Sequence, residues 1–149
     1  MKPRQSRLPR EVFLSHSTKD RGFADRIAAV LRDHGVPVWY STTNIVGAKQ
    51  WHDEIGKALA RCDWFIVVLS PHSIKSRWVQ RELHYALDDP RYDNRIIPIS
   101  YKPCSHKDLS WTLGASQFVD FTIGFDEGCR RLLRVWGLGY RGQPTRGRR

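Results

Sequence analysis

The run "WFIVVLS", residues 64–70, constrains the fold more than any other stretch of the chain. It is apolar from Trp64 to Leu69, rich in aromatic and β-branched residues, and lacks polar alternation. A strand of that kind meets water on neither face, the condition of a central strand in a parallel sheet covered on both sides. Four further runs read as strands: "EVFLS" (11–15), "VPVWY" (36–40), "RIIPIS" (95–100) and "QFVDF" (117–121). Between them lie segments of helical period. Phe23, Ile27, Val30 and Leu31 share one face of a helix with Ser17 or Thr18 placed to cap its start and Gly35 to end it. Trp51, Ile55, Ala58, Leu59 and Cys62 mark a second helix, residues 76–88 behind Ser76 a third, and a fourth begins near Asp126 and stops at Gly137. The stretch 101–116, punctuated by Pro, Ser and Gly, leaves room for a short helical turn at most. Strands and helices alternating at this interval predict βαβ units, and so a three-layer α/β domain with about five parallel strands.

The chain has 149 residues, the size of one domain, and a net charge of +10. That charge is unevenly spread. Lys2, Arg4, Arg7 and Arg10 at one end and Arg141, Arg146, Arg148 and Arg149 at the other account for eight of the 25 basic residues, leaving 17 against 15 acidic ones, or +2, in between. The basicity belongs to the two ends, residues 1–10 and 141–149, and the Pro, Gly and Arg content of the tails 1–9 and 139–149 predicts disorder. Solvated termini explain them better than nucleic acid, so a nucleic-acid partner is not expected. Cys62, Cys104 and Cys129 are odd in number and widely spaced, no secretory leader precedes the first strand, and no apolar run spans a membrane. A cytoplasmic protein without a membrane partner is the expectation. The six histidines show no ligand spacing, so no metal is expected either.

In a doubly wound sheet, ligands bind beyond the carboxyl ends of the strands. The segments there are "SHSTKDRG", "STTNIVGAKQ" and "SPHSIKSRW". None is a glycine-rich phosphate cradle, which argues against a dinucleotide oxidoreductase or a nucleoside triphosphatase. Ser15, His16 and Ser17 lack the G-x-S-x-G elbow of a serine hydrolase. The informative residue is Glu82. On a helical projection of 78–88 it falls ~40° from Trp78, inside the apolar arc. Its neighbours three and four residues away are Trp78, Val79, Tyr85 and Ala86, so no Lys or Arg can pair with it along the helix. Desolvation should raise its pKa. By periodicity alone such a glutamate reaches a backbone donor or an arginine from another segment, snorkels past Trp78 into water, or is a functional carboxylate.

With these segments in place, the chain resembles a Toll/interleukin receptor (TIR) domain of the bacterial, NAD-cleaving kind found in anti-phage defence, over residues 10–138. The resemblance lies in "VFLSHSTKD", in "HGVPVWY" running into "NIVGAKQWHDEIGKAL", in "ARCDWFIVVLSPHSIKSRWVQREL" and in "RIIPIS", in that order. It implies a flavodoxin-like sandwich and cleavage of the nicotinamide–ribose bond of NAD, as substrate and with no cofactor, giving ADP-ribose or a cyclic ADP-ribose. Glu82, the glutamate of the W-x-x-x-E pattern, would be the catalytic residue, with Ser15, His16, Ser41, Asn44, Gly47 and Trp78 contacting substrate. Ser41 stands where the family's second strand often ends in aspartate. The resemblance also implies self-association through the loop 41–51, which would complete the site of a neighbouring subunit, and a separate sensor or effector protein as partner. The alternative is a non-enzymatic TIR adaptor that works by docking to other TIR domains.

Overall fold

The computed structural model describes residues 8–41 and 48–142. Five parallel strands, β1 (Val12–Ser15), β2 (Val38–Trp39), β3 (Trp64–Leu69), β4 (Ile96–Ser100) and β5 (Val119–Asp120), form one sheet in the order β2-β1-β3-β4-β5. Four helices connect or follow them: α1 (Arg21–Asp33), α2 (Ala48–Arg61), α3 (Arg77–Asp88) and α4 (Phe125–Arg134). This is the flavodoxin-like three-layer sandwich expected. Every residue of β3 is buried, as a strand with helices on both faces requires.

Alternation along the strands divides the core into two layers. Val12, Leu14, Trp64, Ile66 and Val68 face α1 and α4, while Phe13, Phe65, Val67 and Leu69 face α2 and α3. Ser15 shares the parity of Phe13, so its side chain also turns toward α3, and that parity later decides its partner.

The two edge strands are shorter than the apolar runs that predict them, with two residues each in place of the expected 36–40 and 117–121. Each has a neighbour on one side only, so pairing ends sooner there. The inner strand β4 tolerates Pro98 because of register. The Arg95 carbonyl accepts from Phe65 on the β3 side and the Ser100 carbonyl accepts from Phe121 on the β5 side. Alternation therefore aims position 98 toward β5, whose ladder begins only at Val119 opposite Ile99, so no ladder donor is lost.

The helix signals hold at Ser76 and Gly35 and shift elsewhere: α1 starts behind Asp20, which makes no side-chain cap, and α4 ends at Arg134, short of the expected Gly137. Ser17 caps a single 3-10 turn, Thr18–Asp20, that leads into α1, and Ser76 caps α3 by accepting from Val79 N at 3.2 Å. Gly35 ends α1 with φ +83°, where a side chain would be strained. Gly128 answers a different need: a Cβ there would lie 2.4 Å from the Phe121 ring. The stretch 101–116 holds two 3-10 turns, His106–Asp108 and Trp111–Ala115, one more than expected. Past α4 the chain stays against the body through Arg141, with Tyr140 donating to Asp126 at 2.9 Å and stacking on His34. Of the two basic tails, 1–7 and 143–149 lie outside the described residues. No helix among the described residues is long and apolar enough to cross a membrane.

Candidate active site

Chain order reverses between β1 and β3, which lie side by side while their connections run to opposite faces. The crevice beyond their carboxyl ends is the place such a sheet leaves for a ligand. Three segments converge there: the end of β1, the turn after β3, and the first two turns of α3.

Glu82 is 7% exposed. Among the described residues its one hydrogen-bond partner is Ser15, whose Oγ donates to Oε1 at 2.7 Å, and none of their cations pairs with it. Burial pushes its pKa from the ordinary 4.5 up to about 7, with the Ser15 hydrogen bond opposing the rise. Of the readings left open by periodicity, an arginine from another described segment is excluded, and the burial of Glu82 rules out a side chain that reaches past Trp78 into water. A single neutral donor remains, which satisfies one of roughly four acceptor sites on the carboxylate. Near neutral pH the group exchanges its proton readily and carries negative charge in a low-dielectric setting, where such charge acts strongly.

Trp78 lies one turn before Glu82 on α3 and is half-buried. His52 of α2 meets its ring edge-on at 4.8 Å, and the Arg81 guanidinium sits 5.2 Å from its centroid. His52 was not visible from sequence as a neighbour of Trp78, because only the packing of α2 against α3 brings them together.

His16 turns away from Ser15, as successive residues in extended chain do. It approaches Tyr40 edge-on at 5.7 Å, and Tyr40 donates to Asp25 of α1 at 2.7 Å. Burial lowers the pKa of His16, which favours the neutral ring, and its Nδ1 has no hydrogen-bond partner among the described residues. Ser41 follows Tyr40 and is half-buried. Asn44 and Gly47 lie outside the described residues, as do Ile45 and Val46 of the same loop. Of the residues singled out in the sequence, the structure thus joins Ser15 and Glu82 directly, sets Trp78 one turn away, and places His16 beside Tyr40.

A second polar cluster lies behind the first. Ser70 ends the β3 run, and its Oγ donates to Asp20 Oδ2 at 2.5 Å. Both are buried, along with Ser73. Among the described residues, no group of three or more His, Cys, Asp or Glu side chains is arranged to hold a metal ion.

The strand order is that of a flavodoxin-like α/β domain, and the buried carboxylate beside its reversal marks a candidate site at the carboxyl edge of the sheet. Residues 12–133 match the TIR domain model, and the chain belongs to the TIR domain family. Among characterised relatives it is 33% identical over 96 residues to the NAD(+) hydrolase PdTIR of Paracoccus denitrificans, covering 63% of this chain and 32% of that protein. It is 28% identical over 94 residues to the 2' cyclic ADP-D-ribose synthase BtTIR of Bacteroides thetaiotaomicron, covering 62% of this chain and 33% of that protein. The chain therefore spans about a third of the length of these relatives. Among solved structures, the TIR domain of the Toll-related receptor TRR-2 from Hydra magnipapillata aligns with a TM-score of 0.62 at 21% identity, over 83% of this chain and 87% of that one. The TIR domains of the activated Roq1 resistosome align with a TM-score of 0.61 at 17% identity, over 83% and 97%. At those identities the two structures bear on the fold alone.

Proposed function

We propose that this TIR domain cleaves the nicotinamide–ribose bond of NAD, with Glu82 carrying the reaction. The observation behind the proposal is a carboxylate at the carboxyl edge of the sheet that is buried without a cation among the described residues and accepts from one of their hydroxyls. The bacterial relatives named as NAD hydrolase and cyclic ADP-ribose synthase support it.

The chemistry suits one carboxylate. Glycoside hydrolysis ordinarily needs an acid to protonate the leaving oxygen and a second group to manage the sugar cation. The nicotinamide of NAD is already cationic and leaves as a neutral base, so no acid is required. What the protein must supply is negative charge beside the anomeric carbon as oxocarbenium character develops, and Glu82 does this in a dry setting where the interaction is strongest. Ser15 keeps the carboxylate oriented. Trp78 offers a flat wall for a ring of the substrate, and His16 a second polar surface. Attack by water on the ribosyl centre yields ADP-ribose, and attack by a nucleophile of the same molecule yields a cyclic product. Self-association, with the loop 41–51 of one subunit completing the site of the next, makes the activity dependent on protein concentration. The physiological setting we propose is bacterial immunity against phage, in the cytoplasm, with a separate sensor or effector protein as partner. Plaque counts on cells carrying the parent gene or its Glu82→Gln form test that setting.

The test of the chemistry is incubation of the purified protein with NAD over a range of protein concentrations, followed by chromatography. The parent should release nicotinamide together with linear or cyclic ADP-ribose, and Glu82→Gln should release none. Equal release by both proteins would remove Glu82 from the mechanism. No release from the parent at high concentration would favour the adaptor reading.

A further inference from the structure

We infer that Asp20 and Ser70 form a positioning pair that sets the separation of the two loops flanking Glu82, an inference that rests on the reading of the site given above. Asp20 ends the 3-10 turn after β1, four residues beyond His16, and its backbone N–H donates to Ser17 O at 2.8 Å. Ser70 closes β3. The bond between them spans 50 residues of sequence and joins the β1 loop to the turn that leads into α3.

The direction of this bond follows from its chemistry. A carboxylate accepts only, so the single Ser70 hydroxyl proton goes to Asp20. The oxygen lone pairs of Ser70 are then left to accept, and they take the backbone N–H groups of His72 and Ser73, each at 3.1 Å. Ser73 Oγ in turn accepts from Ser70 N at 3.0 Å and donates to Ser70 O at 3.2 Å. The Ser73 carbonyl accepts from Ser76 N at 3.0 Å, and Ser76 Oγ caps α3 at Val79 N, around Trp78. One continuous chain of hydrogen bonds therefore runs from the His16 loop to the helix start that carries Trp78. Among the described residues Asp20 has no cation partner, and apolar groups of similar shape would hold the core about as well. A buried polar network does something an apolar patch does not: it admits one geometry. Glu82 has its own anchor in Ser15, so the pair governs the walls of the site rather than its charge.

The test is steady-state NAD cleavage by Asp20→Ala, Ser70→Ala, the double variant and Asp20→Asn. The two alanine variants should raise KM for NAD about tenfold, about 1.4 kcal/mol, with kcat within a few-fold and the pH midpoint of the rate unmoved. The double variant should be no worse than either single one, since both break one link. Asp20→Asn should stay near the parent, because its amide oxygen still accepts from Ser70. Additive losses, an unchanged KM in folded Ser70→Ala, or an asparagine variant as impaired as alanine would each overturn the proposal. Ser70→Ala and Asp20→Asn carry the test if Asp20→Ala fails to fold. If the parent does not cleave NAD, the functional reading fails separately, and amide hydrogen exchange decides the pair. The His72 and Ser73 amides should then exchange about tenfold faster in Ser70→Ala than in the parent, and equal rates would sink it.

Discussion

Glu82→Gln should stabilise the protein in alkaline solution while removing its chemistry. The folded protein holds the Glu82 proton up to about pH 7, against an ordinary 4.5. The sign follows from linkage: a carboxyl whose pKa is raised by folding stabilises the fold fully below its unfolded pKa, and that contribution is lost as pH climbs through the folded value. At ~1.4 kcal/mol per pH unit, the difference between 4.5 and about 7 comes to about 3 kcal/mol across the whole window. Most of it, roughly 2–3 kcal/mol, falls between pH 5 and pH 8. Gln keeps an acceptor for Ser15 and never ionises, so it escapes this loss. Its amide N–H groups bring an unmatched polar cost of ~1 kcal/mol that does not vary with pH. Relative to the parent, the variant should therefore be slightly less stable at pH 5 and about 2 kcal/mol more stable at pH 8, several degrees in Tm. Urea unfolding of both proteins at the two pH values measures this directly, and taking the difference cancels every other titrating group, His16 included. A stability difference that does not change with pH would refute the assignment of a raised pKa to Glu82, and with it the picture of a dry carboxylate.

The same carboxylate governs the rate. NAD cleavage should rise as pH passes through about 7, where Glu82 ionises, and Ser15→Ala should move that midpoint upward, since the hydrogen bond it removes favours the charged form. Initial rates from pH 5.5 to 8.5 would show it, and an unmoved midpoint would count against Ser15 as the orienting donor. Gly128→Ala should cost ~1–3 kcal/mol in chemical denaturation, because its Cβ would meet the Phe121 ring at 2.4 Å within a packed layer. Arg91→Ala should loosen the last turn of α2, since the guanidinium donates to the carbonyls of Leu59 and Ala60, for which the helix has no N–H donors of its own. Faster hydrogen exchange in residues 58–61, with a loss of ~1 kcal/mol, is the expected result.

Much of this architecture was legible in the chain because it rests on local repetition. The unbroken apolar run of β3 required cover on both faces, and the 3.6-residue period of α1 and α3 named the sides they bury. Ser76 and Gly35 announced helix ends through chemistry confined to their own turns. The raised pKa of Glu82 was also legible, since the absence of Lys and Arg three and four residues away is a property of the sequence. The lengths of β2 and β5 were not, because pairing at a sheet edge depends on which strands lie beside it.

By itself, then, the sequence determined a parallel α/β sandwich and an unpaired glutamate near the apolar edge of its third helix. Only the tertiary structure decided what that glutamate touches. Ser15 reaches it across 67 residues, Asp20 reaches Ser70 across 50, and His52 meets Trp78 only through the contact of α2 with α3. Periodicity says which way a side chain points. It carries no information about which distant hydroxyl waits there, because that depends on strand order and register, and these are settled only when the whole sheet assembles.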